Sequence, residues 1–321
     1  MRFLGIYCTR LLLFSCCLLT QANAQWESQY YRDHPLVGKI YSTQDQAWIS
    51  EQALYKKLDE TKLLLLGETH TNFDHHSGQA RIIHHWMSSK SRPKLVLEMI
   101  NYQDSAQLQQ SQFGLDTLSN KLEEIAGKWN WQAYLPILKL KIDHDLEMLG
   151  ANLPREQLDS FSRQEQCKIA RDQAQLDVCQ LLNAEQKETI QELIYDAHCG
   201  YLPREHTEPL MRTQIAKDAS FALSLLEAST NSKAVLIAGS VHVRKDIGVP
   251  VHLRELGKTF VSMTFMNVDP EKTKAEDYVH ASSSSMSQNQ QFDYIFFTPS
   301  ERNQDPCVEF AEQLKKMKHS N

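Results

Sequence analysis

The sequence predicts an α/β fold: a mostly parallel β-sheet flanked by helices, with a smaller helical cap subdomain. Six short runs are apolar on both faces, as strands buried between two layers must be. Amphipathic stretches separate them, which favours helical crossovers and parallel pairing. The segment 156–228 differs, with helical periodicity and almost no strand signal. The 321 residues, 41% hydrophobic and 23% charged, are enough for a large core and exclude a disordered chain or a mini-protein held mainly by disulfides. With 34 Lys+Arg against 40 Asp+Glu the net charge is -6. A nucleic-acid binder would lack its electrostatic footprint, so no nucleic-acid partner is expected.

The chain opens with Arg2 and Arg10 and no acid in its first ten residues, followed by the apolar run 11–20 (LLLFSCCLLT) and Ala22-Asn23-Ala24. This pattern predicts a secretory signal peptide, 1–24, cleaved before Gln25. The run is far shorter than the roughly 20 apolar residues a membrane span needs, so no transmembrane segment is expected. Leu13-Phe14-Ser15-Cys16 loosely resembles a lipobox, so a lipid anchor at Cys16 stands as the alternative to a free periplasmic protein. Cleavage leaves Cys167, Cys179, Cys199 and Cys307. An even number in an oxidising compartment predicts two disulfides, with three connectivities open and Cys167 with Cys179 the simplest pair. The absence of C-x-x-C spacing among them disfavours a thiol zinc site or a thioredoxin-like site.

The strand candidates, in order, are 62–66 (KLLLL), 94–98 (KLVLE), 146–152 (LEMLGAN), 233–238 (KAVLIA), 259–266 (TFVSMTFM) and 292–298 (FDYIFFT). Helical spacing of apolar residues marks 79–87, 117–125 and 134–142 between the first three. The α/β domain is thus expected over 25–155 and 229–321, with 156–228 inserted as a helical subdomain or as a longer crossover of the same domain. Within that insertion the helices are placed at 163–176, 184–198 and 208–226. The polar run 282–291 (SSSSMSQNQQ) reads as a mobile loop.

Ligands of open α/β sheets bind beyond the carboxyl ends of the strands, so polar residues that close the apolar runs are the functional candidates. The first run ends in Gly67-Glu68-Thr69-His70, the second in Glu98, the third in 150–155 (GANLPR) and the fourth in Gly239-Ser240-Val241-His242. The two Gly-x-x-His endings echo each other, and glycine is expected to let the backbone turn sharply there. Glu68, His70, Glu98 and His242 would gather two carboxylates and two imidazoles. Such a set suits a divalent metal that activates water, or Glu/His general acid–base hydrolysis of a peptide or ester. His75, His76 and Gln79 either line the same crevice or begin a solvated helix, whereas His84 and His85 read as structural.

Several of these motifs, in register, carry a resemblance. Gly67-Glu68-Thr69-His70 with Asp74-His75-His76 and Gln79, Leu97-Glu98-Met99, Trp131 with Tyr134-Leu135-Pro136, Asn152-Leu153-Pro154-Arg155, Ala197-His198-Cys199-Gly200 and the run 237–244 (IAGSVHVR) with Gly248-Val249-Pro250 resemble the ChaN family. Its members are haem-binding proteins of bacterial iron uptake, related to erythromycin-esterase-like and Tiki-type hydrolases that share the strand-end motifs. The resemblance implies an α/β domain with a smaller helical part, and non-covalent haem on a face able to pair with a second copy. It also implies iron ligated by tyrosine, whose phenolate is a hard anionic donor suited to ferric iron. Tyr201 in the turn 198–204 (HCGYLPR) is the first candidate ligand, with His198 and Arg204 as helpers, and Tyr134 beside Trp129 and Trp131 is the second. No C-x-x-C-H occurs, which excludes covalent attachment. The stretch 167–179 matches no family motif. The function expected is that of an exported haem-binding protein of iron uptake, with a Glu/His hydrolase as the alternative.

Overall fold

The computed structural model describes residues 26–87, 92–109, 114–127, 129–172, 174–278 and 291–319. The expected signal peptide, Cys16 and all but the last residue of the polar run 282–291 lie outside the described residues. In chain order the elements are β1 (Ile40–Ser42), β2 (Ala47–Ile49), α1 (Glu51–Asp59), β3 (Leu63–Glu68), α2 (Phe73–Trp86), β4 (Lys94–Asn101), α3 (Leu115–Ala126), α4 (Leu135–Asp143), β5 (Met148–Asn152), α5 (Arg155–Ser162), β6 (Lys168–Arg171), β7 (Ala174–Asp177), α6 (Ala184–Ala197), α7 (Thr207–Ala228), β8 (Ala234–Gly239), α8 (Val249–Glu255), β9 (Val261–Asn267), β10 (Tyr294–Thr298) and α9 (Pro306–His319). A short 3-10 helix, Ser240–Val243, follows β8.

The main sheet has eight strands in the order β2-β1-β10-β9-β3-β8-β4-β5. The six from β10 to β5 pair in parallel, and β1 and β2 extend the edge antiparallel. All six apolar runs of the sequence are these parallel strands. Alternation of side chains explains why they are apolar throughout: Leu64 and Leu66 enter a cluster with Ile82, Ile83, Trp86, Ile137 and Leu138 of α2 and α4. Leu65 and Leu236 enter a second one with Ala219, Ala222 and Leu223 of α7 and Leu253 of α8. Each face of the sheet thus buries its own core, at about 1.5–3 kcal/mol for each fully buried aliphatic side chain. Among the described residues no helix is long and apolar enough to cross a membrane.

The helix expected at 163–176 does not form. Its place is taken by the antiparallel hairpin β6–β7, in which Ile169 and Leu176 pair and point inward, at 6% and 2% exposure. Cys167 and Cys179 close the open end of this hairpin as a disulfide, and Val178 donates its N–H to the Cys167 carbonyl at 2.8 Å. Arg171 then ties the hairpin to α7, donating to Ser220 Oγ at 2.7 Å and Ser224 Oγ at 2.9 Å. These tertiary links override the helical pattern of the segment, and the loop closed by the disulfide is of a length worth about 2–4 kcal/mol. The helices expected at 184–198 and 208–226 are α6 and α7. α7 packs against β5, β4 and β8, and its Ser220 donates to the Ala151 carbonyl at 2.5 Å. The second disulfide joins Cys199, beyond α6, to Cys307 on α9, so all four cysteines among the described residues are paired.

Candidate functional site

The sheet order sets β8 between β3 and β4, so the ends of these three strands lie side by side. Glu68 is in register with Gly239, and Glu98 on β4 accepts the Gly239 N–H at 2.8 Å. The two motif glycines work by leaving room rather than by bending the chain, since neither has a positive φ. A Cβ on Gly67 would sit 2.5 Å from the Val243 side chain, and one on Gly239 would sit 3.1 Å from His70 Nε2.

Around them runs an alternating chain of acids and bases. Tyr134, the residue that precedes α4, donates its hydroxyl to Glu68 Oε1 at 2.5 Å. The same oxygen lies 2.9 Å from His70 Nδ1, and Glu68 Oε2 faces His76 Nδ1 at 3.1 Å. His70 Nε2 is 3.7 Å from Glu98 Oε2. Glu98 Oε1 is 3.2 Å from His242 Nε2, and His242 Nδ1 is 2.6 Å from Asp218 Oδ1 on α7. The structure therefore brings Glu68, His70, Glu98 and His242 together, as expected from the strand ends. It adds Tyr134, His76 and Asp218, with the Gln214 amide 3.1 Å from His242 Nδ1. All the titrating members are buried except His70, whose side chain is 31% exposed and meets Trp129 edge-on at 5.1 Å.

The charges follow from this packing. Burial pushes the Glu68 carboxyl up, but the charge of His76 and hydrogen bonds from His70 and His76 outweigh it and hold Glu68 well below the carboxylate range. Glu98, against the same burial, is brought down to about 2 by His242, then His70 and the Gly239 N–H. His242 is opposed by burial and raised to about 10 by Glu98 and Asp218, so it is an imidazolium at neutral pH. Burial raises Asp218 to about 6, with His242 pulling the other way. For His70 and His76, too, burial lowers and the neighbouring carboxylates win, so both are raised. Burial and the Glu68 charge push Tyr134 far above the ordinary phenol range, which keeps it a proton donor. The second candidate iron ligand is thus fully buried, with its ring beside Trp131.

Among the described residues, no group of three or more His, Cys, Asp and Glu is arranged to hold a metal ion. The divalent metal expected at Glu68, His70, Glu98 and His242 is thus unsupported. Both ring nitrogens of His70 and of His242 already face a carboxylate. What the arrangement offers instead is acid–base chemistry at His70, whose imidazolium Glu68 and Glu98 both stabilise. His75, expected either in the crevice or at a solvated helix start, is neither. Asn72 caps α2 from before Phe73, which buries His75 as a brace between the Thr69 N–H at 2.8 Å and Thr298 Oγ1 at 2.9 Å. Gln79 is buried as well, its amide donating to the Leu66 carbonyl at 3.3 Å.

Asp218 was not legible as a site residue, yet a signal existed: it is an acid on a stretch of α7 otherwise buried through Ala216, Ala219 and Phe221, four residues after Gln214.

The second candidate region, 198–204, shares no side-chain partner with this chain among the described residues. Tyr201 is 55% exposed in the turn between α6 and α7. His198 Nδ1 donates to the Ile194 carbonyl at 2.7 Å, which leaves Nε2 as its acceptor nitrogen. Arg204, expected as a helper of Tyr201, is held in a two-pronged pair with Glu192 and lies over the Tyr195 ring at 4.2 Å.

The family model described as "Haem-binding uptake, Tiki superfamily, ChaN" matches residues 54–253, a span holding both the strand-end chain and the Tyr201 turn. The solved structure "Cofacial heme binding to ChaN of Campylobacter jejuni" is 22% identical, with a TM-score of 0.64 over 80% of this chain and 95% of that one. Erythromycin esterase EreC in its open conformation is 11% identical over 84% of this chain and 99% of that one, with a TM-score of 0.45. A succinoglycan biosynthesis protein is 12% identical over 77% and 90%, also with a TM-score of 0.45. No curated protein matches the chain. By the extent of the family match, the chain belongs to the haem-binding uptake family ChaN of the Tiki superfamily.

Proposed function

We propose that this protein binds haem non-covalently for iron uptake, with Tyr201 as the iron ligand, and that it does so after export. The observation that carries the reading is the exposed phenol of Tyr201, in a family whose model is one of haem-binding uptake. A phenolate is a hard donor suited to ferric iron, and His198, three residues away with an acceptor Nε2, is placed in sequence to help it lose its proton. The donor set of the turn therefore fits haem as cargo. The ChaN of Campylobacter jejuni is described with cofacial heme, which supports pairing of two copies over this face. Export is supported by the charged start, the apolar run 11–20 and Ala22-Asn23-Ala24, and by two disulfides that an oxidising compartment would preserve.

Protein isolated from the periplasm, expected to begin at Gln25 by intact mass, should give a saturable, high-spin, tyrosinate-like ferric spectrum when titrated with hemin. Tyr201→Phe should lose that spectrum and weaken binding at least tenfold. Absence of any saturable Soret change in the wild type would sink the reading, and an unchanged spectrum in Tyr201→Phe would reassign the ligand. A second reading, Glu/His hydrolysis of an ester or peptide, is favoured by His70 alone, the solvent-facing member of a buried acid–base chain. Turnover against an ester and peptide panel, lost in His70→Ala, is its readout.

A further inference from the structure

The family match ends at residue 253, but the chain beyond it returns to the Tyr201 turn. Cys307 on α9 is bonded to Cys199, 108 residues earlier. Three residues further along the helix, Phe310 meets the Tyr201 ring edge-on, with centroids 5.6 Å apart. Tyr201 and Phe310 are 55% and 37% exposed. Among the described residues α9 has no extended contact with any other element. It is fastened to the body by the disulfide and lies beside the phenol. Exposed large apolar side chains scattered singly are unremarkable, but here two lie in ring contact, one of them the candidate iron donor, and together they offer a ligand an apolar surface.

The turn also needs fastening. Cys199 and Gly200 both have positive φ, +55° and +71°, and the first is a non-glycine residue that would readily leave this region if nothing held it. Cys199 is the residue that the bond to Cys307 holds.

We propose that α9 forms one wall of the haem site: Phe310 gives the porphyrin face an apolar surface beside Tyr201, and the Cys199–Cys307 bond keeps wall and ligand in register. This rests on the haem reading above. It places part of the site outside the segment that defines the family, so it concerns the C-terminal helix of this chain in particular.

Hemin titrations of the full-length oxidised protein test it, with far-UV circular dichroism as the check on folding. Phe310→Ala should weaken hemin binding about 3- to 10-fold, the range of one aromatic contact, while the tyrosinate-like spectrum remains. Phe310→Trp, which keeps an aromatic face, should restore most of the affinity. The Cys199→Ser, Cys307→Ser double variant should lose more than Phe310→Ala and should also broaden the Soret band, because Tyr201 loses its position as well as its neighbour. If the wild type binds and both variants bind equally well, the inference is overturned and the haem reading stands. If the wild type does not bind, both fall. Should the cysteine variant fail to fold, Phe310→Ala decides alone, since trimming a surface side chain does not threaten the core.

Discussion

Replacing Glu98 with alanine should destabilise the fold by about 3–5 kcal/mol, the cost of breaking a buried ion pair by removing one partner. The residue is 6% exposed on β4, between β8 and the edge strand β5, and both its oxygens are used. One faces His242 at 3.2 Å and the other accepts the Gly239 N–H at 2.8 Å. In the alanine variant His242 keeps only Asp218 as a charged partner, and the Gly239 N–H is left buried without an acceptor, itself worth about 1–3 kcal/mol. Glu98→Gln separates the two effects, because the amide oxygen can still accept from Gly239 while the charge facing His242 is gone. It should cost less than alanine. Arg204→Ala is the control: its pair with Glu192 is solvent-exposed and screened by water, so its loss should be far smaller than that of Glu98. Urea unfolding curves at pH 7 measure all three. A Glu98→Ala loss as small as that of Arg204→Ala would mean that the acid–base chain does not hold the strand ends together.

The same chain shows where the sequence is informative. Glu68, His70, Glu98 and His242 could be read because each closes an apolar run, and a parallel sheet must bring such ends to one edge. Asp218 could not be read that way. It lies in the interior of a 22-residue helix that reaches the site only because α7 packs across the sheet, a fact of tertiary structure. His75 and His76 are adjacent in sequence but have opposite fates, because consecutive helical positions face different ways. One braces Thr69 against Thr298 and the other joins Glu68. The six parallel strands were legible because burial on both faces leaves continuous apolar runs, whereas β1 and β2, three residues each, are too short to show a pattern. The β6–β7 segment reads as helix in the sequence because its apolar residues Ile169, Ala170, Ala174 and Leu176 do not alternate cleanly. The disulfide and Arg171, both long-range contacts, make the choice.

Stability should fall as the pH drops from 6.5 towards 4.5, with two buried histidines outside the acid–base chain as the main cause and Asp218, raised to about 6, offsetting part of the loss. His252 on α8 is fully buried, and neither ring nitrogen has a hydrogen-bond partner. Burial alone lowers its pKa from 6.5 to about 3. His75 is lowered to about 3 as well, by burial and then by the charge of His76. In both cases the unfolded chain takes up a proton near pH 6.5 while the folded chain refuses it until about pH 3, so protons favour unfolding throughout that window. At pH 4.5 each should cost the folded state about 2–3 kcal/mol relative to pH 7.5. Glu98 adds to the acid limb later, since its depressed pKa gives stability that is lost only between about 4.5 and 2. His242 runs in the opposite direction. Its raised pKa gives stability that is complete below 6.5 and is lost as the pH climbs through 10, so the two limbs meet near pH 6.5. His252→Leu isolates the acid limb, because the side chain has no polar partner to lose. At pH 7.5 its urea midpoint should lie close to that of the wild type, and at pH 4.5 the variant should be the more stable by about 2–3 kcal/mol. His75→Leu, which forfeits the bonds to Thr69 and Thr298, should instead be destabilised at pH 7.5 and recover part of that loss on acidification. Parallel decline of wild type and His252→Leu between pH 6.5 and 4.5 would show that His252 is hydrated or charged in the folded protein, contrary to its packing.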